Sequence, residues 1–186
     1  QLMSYWSYPD TYDWDDLTAN PVISQGTSAA SEVASLMEDV FIGCDVTAGC
    51  GESPSNIYNA RNYLVNIGYT CSNIQYYTAS AIEDALRHSH PVIMTGEKPN
   101  RVGHAWNVDG YEKEKAVICR RAYRYDEATG TRILISTYTY DSYRTKFHFN
   151  WGLGGDSNGW FVAGFFQPHI IYGNFCYNVK FFVPTL

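Results

Sequence analysis

At Pro91 the spacing of apolar residues changes from about 3.6 to 2, which limits the chain to folds that place helices first and strands afterwards. From Ala29, the positions Val33, Leu36, Met37, Val40 and Phe41 recur at helical intervals. Thr27 or Ser28 is available as cap and Gly43 as stop. After a loop rich in glycine and serine, Ser55 is placed to cap a second helix with a buried stripe of Ile57, Ala60, Leu64 and Ile67, ended by Gly68. A third helix is expected to open at the capping box Ser80-Ala81-Ile82-Glu83 and must stop before Pro91. Residues 1–20, dense in tyrosine, tryptophan and aspartate, read as an irregular segment lying on a core.

Beyond Pro91 the alternation predicts strands over 91–95, 105–111, 116–125, 132–140, 146–151, 159–166 and 175–183. The turn Asp126-Glu127-Ala128-Thr129-Gly130 joins the third and fourth into a hairpin. The expected class is α+β with an antiparallel sheet, and residues 1–186 read as a single domain.

Composition removes several functions. A net charge of -6 without a lysine or arginine run gives no footprint for phosphate backbones, so nucleic acid is not expected as a partner. No apolar stretch approaches the ~20 residues of a membrane span, and no charged-then-apolar leader opens the chain. Cys44, Cys50, Cys71, Cys119 and Cys176 fit no zinc spacing; a Cys44/Cys50 disulfide is left open. His88 and His90 read as exposed residues at a helix end, so neither a metal nor a cofactor is expected.

Two segments carry chemistry. Gly103-His104-Ala105-Trp106-Asn107-Val108-Asp109-Gly110-Tyr111 is an alternating strand that presents one histidine. The second segment, residues 147–160, is another such strand; it includes Asn150-Trp151 and runs into a glycine turn at 152–155. A thiol or hydroxyl nucleophile needs a base, and the base needs a group that fixes its ring. His104 is the natural base; Asn150 or Trp151 would orient it, through a side-chain amide or by stacking.

These two motifs resemble the streptopain family of papain-like bacterial cysteine peptidases. The resemblance extends over Tyr12-Asp13-Trp14-Asp15-Asp16-Leu17, residues 31–40, the loop at 49–55 and the 58–69 helix. It implies a papain-like fold, with helices first and then an antiparallel, barrel-like half. It implies a secreted, periplasmic or cell-surface endopeptidase working through a Cys-His pair on polypeptide substrates. In that picture His104, Asn150 and Trp151 are catalytic, and Gly51, Ser53 and Gly103 border the substrate cleft. Two features depart from it: a longer hairpin over 112–146, and Leu153 where tryptophan is usual.

The nucleophile is the larger departure. The family's cysteine opens a helix running into Gln-(Ile/Leu)-Met-x-Tyr, which matches Gln1-Leu2-Met3-Ser4-Tyr5, so the expected cysteine lies roughly two helical turns before Gln1. Thr27-Ser28-Ala29-Ala30 mimics that helix with Ser28 for cysteine, but Val33 to Val40 fits a later family helix. An upstream segment or propeptide is therefore an expected partner, covering apolar surface this chain would otherwise expose. The alternatives are a noncatalytic relative that binds peptide or glycan through its sixteen tyrosines, and a different Cys-His hydrolase such as an amidase or transglutaminase.

Overall fold

The computed structural model describes residues 1–20, 23–49, 53–169 and 173–186. The order is α1 (Leu2–Trp6), α2 (Trp14–Thr18), α3 (Ser28–Gly43), α4 (Ile57–Asn66), β1 (Thr70–Cys71), β2 (Gln75–Tyr76), α5 (Ala79–Arg87), β3 (Val92–Glu97), β4 (Gly103–Asp126), β5 (Thr131–Asn150), β6 (Gly159–Val162), β7 (Tyr177–Phe182) and β8 (Pro184–Thr185). Four helices precede a six-stranded sheet in the order β2-β7-β3-β4-β5-β6, with α5 between its first two strands in sequence, and all its pairings are antiparallel. The α+β expectation holds.

Local chemistry explains most boundaries. Thr27 caps α3 through its Oγ1, which accepts from Ala30 N at 3.2 Å. Asn56, not Ser55, caps α4 by accepting from Asn59 N at 2.9 Å. The Ser55 hydroxyl is drawn away, donating to the Cys44 carbonyl at 2.5 Å. The capping box at Ser80 also fails: α5 begins at Ala79, and Glu83 instead holds Arg87 and Lys113, each at 2.7 Å. The aspartate-rich opening contains two short helices rather than none, because Asp13 caps α2 and Leu2, Met3 and Trp14 have a core to enter.

The strands merge where the alternation had suggested breaks. Spans 105–111 and 116–125 form one strand, β4, and 132–140 with 146–151 form β5, joined by the expected turn. Two cores flank the sheet. One holds α5 against Val92, Met94, Trp106, Val108, Phe147, Phe149 and Trp151. The other packs α1, α2 and α4 around Phe182, with Leu36, Val40 and Ile93 at its edge. In α3, Met37 and Phe41 do not join the buried stripe; they are 62% and 38% exposed.

Candidate functional site

Alternation along β4 puts His104 on the face of Trp106 and Val108, while Asn107 and Asp109 take the other face. On β5, Phe147 and Phe149 face the first core, with Trp151 following, and His148 and Asn150 lie opposite. The ladder pairs Asn107 with Asn150. His104 therefore meets Trp151 and not the Asn150 amide. Its ring, half-buried, lies 6.1 Å from that of Trp151 at 24°, and 5.3 Å from Phe175. Trp106, 4.8 Å from Trp151, continues the aromatic wall.

His104 Nε2 lies 2.8 Å from the carbonyl oxygen of Trp151. A carbonyl only accepts, so Nε2 is the donor and carries the proton. In the neutral ring Nδ1 then holds the lone pair, which is the tautomer a general base needs.

The accepting carbonyl is itself held from several sides. Gly152 N–H donates to Asn150 Oδ1 at 3.2 Å, and Trp151 N–H donates to Asn158 Oδ1 at 2.9 Å. Gly152 has φ +72°, a left-handed conformation that residues with a Cβ rarely adopt. The glycine turn thus fixes a peptide plane. Asn158 was not among the expected site residues; its only signal in the sequence is a place at the end of a glycine-rich run.

On the opposite face, Asn150 Oδ1 also accepts from Gln1 Nε2 at 2.8 Å, and Asn107 Nδ2 donates to Gln1 Oε1 at 2.6 Å. The start of α1 is thereby pinned to the strand pair that carries the site. Nearby, His148 Nδ1 donates to Asp109 Oδ1 at 2.6 Å.

Gly103 opens β4 opposite Glu97, one residue from His104. Ser53 lies exposed in the loop before α4, and no hydrogen bond or ring contact ties it to His104 among the described residues. Gly51 lies outside the described residues. Burial pushes the Cys44 thiol above its ordinary value, and also that of Cys71, where Arg61 opposes the shift. That is the reverse of an activated thiolate. Cys44, Cys71, Cys119 and Cys176 are free, so Cys44 is in no disulfide; Cys50 lies outside the described residues. Among the described residues no cluster of three metal-ligating side chains occurs, and no helix is long and apolar enough to cross a membrane.

Comparison with known proteins matches residues 5–161 to the Peptidase C10 family. The chain belongs to the peptidase C10 family. It is also similar to the thiol protease/hemagglutinin PrtT of Porphyromonas gingivalis, at 24% identity over 172 residues. That alignment covers 87% of this chain but only 16% of PrtT, so the chain spans about a sixth of this relative's length. The C10 match contains both strands of the site, from Gly103 through Asn150 and on to Phe161.

Proposed function

We propose that residues 1–186 form the part of a cysteine endopeptidase domain that carries the catalytic base. The observation that carries this reading is the 2.8 Å bond from His104 Nε2 to the Trp151 carbonyl, which leaves Nδ1 as the basic nitrogen. Nδ1 accepts the proton of a cysteine thiol, the thiolate attacks the scissile carbonyl, and the imidazolium returns that proton to the departing amine. Trp151 orients the ring with its carbonyl and walls it with its indole. Asn150 is a positioning residue acting through the Trp151–Gly152 peptide. Gly103 and Ser53 border the cleft for an extended polypeptide.

The thiol comes from an upstream segment. Two turns of helix continued before Gln1 span about 11 Å, and the three residues from Asn107 to His104 span about 10 Å of strand. Gln1, bonded to Asn107 and Asn150, is thus within reach of the base through such an extension. Met37, Phe41 and Ile42 of α3 stand exposed as apolar surface. Family membership and the likeness to PrtT support a bacterial protein acting outside the cytoplasm.

The test is peptidase activity of the full-length protein, its sensitivity to iodoacetamide, and the effect of His104→Ala. Alkylation and His104→Ala should each remove activity, the latter by about 10²–10⁴-fold. Undiminished turnover by His104→Ala would refute the assignment. Tight binding of peptide or glycan without turnover would instead favour a noncatalytic relative, and release of ammonia from glutamine amides an amidase.

A further inference from the structure

The β4–β5 ribbon reaches well past the sheet. Strand β6 flanks β5 only from Lys146 to Phe149, so residues 131–144 present an outer edge with no neighbouring strand among the described residues. Between Val117 and Thr139 every residue is exposed except Ile118 and Asp126. The accessible surface is 11758 Å² for 21.1 kDa, against about 9,000 Å² for a compact monomer of that mass.

The two edges of the ribbon differ. The β4 side carries Lys113, Lys115, Arg120, Arg121 and Arg124, the kind of charge that discourages strand addition. Residues 133–140 of β5 hold no charge, proline or glycine. An uncharged β-rich edge of this kind is a template for pairing.

We propose that two copies of this chain pair antiparallel through the outer edge of β5, about a two-fold axis at Thr137. The charges select this register. In the ladder with β4, Ala122 faces Ser136 and Tyr123 faces Leu134, so Ile135 is a bulge. With Thr137 opposite its own copy and each Ile135 skipped, Leu134 meets Thr139 and Arg132 meets Asp141, all on one face of the joint sheet. The uncharged run is then closed at both ends by opposite charges. Asp141 already holds Lys115 at 2.9 Å within its own chain; a carboxylate has capacity for a second cation. A two-fold edge contact is closed and does not propagate.

Sedimentation of the full chain, with charge reversals, decides. The wild type should be dimeric, Arg132→Asp and Asp141→Arg alone should each weaken it about tenfold, and the two together should restore it. In a background with Cys119→Ser and Cys176→Ser, Thr137→Cys should crosslink to its own copy on oxidation, since directly opposed strand residues lie within disulfide reach. A monomer, a dimer indifferent to single reversals, a double variant no better than the singles, or a monomer that captures an unrelated extended peptide would each overturn the proposal.

Discussion

His104 and Asn150 hold the two ends of one peptide group. The imidazole Nε2–H donates to the carbonyl of Trp151, and the N–H of the following Gly152 donates to the Asn150 amide oxygen. The peptide is trans, so its C=O and N–H point in opposite directions, each toward one of two side chains that the pleat sends to opposite faces of the sheet. An asparagine that never touches the ring nonetheless sets where the ring's partner lies.

This arrangement separates Asn150 from Trp151 experimentally. Asn150→Ala in the full-length protein removes a hydrogen bond to the peptide but not the bond to His104. Activity should fall only about three- to tenfold, mainly in kcat. A fall comparable to that of His104→Ala would mean that the amide acts on the imidazole directly.

Asn158 holds the other peptide of Trp151, whose side chain is 0% exposed. Asn158→Ala orphans a backbone N–H beside the core and should cost about 1–3 kcal/mol in denaturant unfolding. Activity should fall as well, because the Trp151 carbonyl loses its anchor. Asn158→Asp, which keeps an acceptor, should recover most of both.

Gly96 pairs with His104 across β3 and β4. A Cβ at this position would strike the Phe175 carbonyl oxygen and crowd the Trp106 ring. Gly96→Ala should therefore destabilise the fold by about 1–3 kcal/mol and shift the Phe175 wall of the site. Near-UV circular dichroism reports the aromatic cluster directly; an unchanged spectrum with unchanged stability would contradict the close approach.

Glu83, between Lys113 and Arg87, has its carboxyl held below the ordinary value of 4.5 by these two cations. A lowered folded-state value means that stability is present at neutral pH and is lost as pH falls from 4.5 through the folded value. Glu83→Gln should cost about 0.5–1 kcal/mol at neutral pH, a modest amount because the ion pairs face solvent. The difference from wild type should close in acid. A pH-independent difference would point to packing instead.

The thiols offer a simpler measurement. The raised Cys44 thiol is also buried, so at neutral pH alkylation followed by mass spectrometry should modify the exposed Cys119 and Cys176 first. Rapid labelling of Cys44 would show that α3 and the following loop open readily.

Periodicity determined α3 to α5 and the change to strands near Pro91, and turn chemistry the hairpin at 126–130, because each rests on local chemistry; the long-range pairing of the His104 strand with the Asn150 strand rests on the motifs instead. The motifs also carried the family. Competition between partners was decided only in three dimensions: Ser55 left its capping position for the Cys44 carbonyl, and Glu83 turned to Lys113, thirty residues away. The same holds at the site. Residue types placed Asn150 and Trp151 beside a histidine, but only the pleat, which sends neighbouring side chains to opposite faces, assigned the ring to the Trp151 carbonyl and left Asn150 to hold the far side of that peptide.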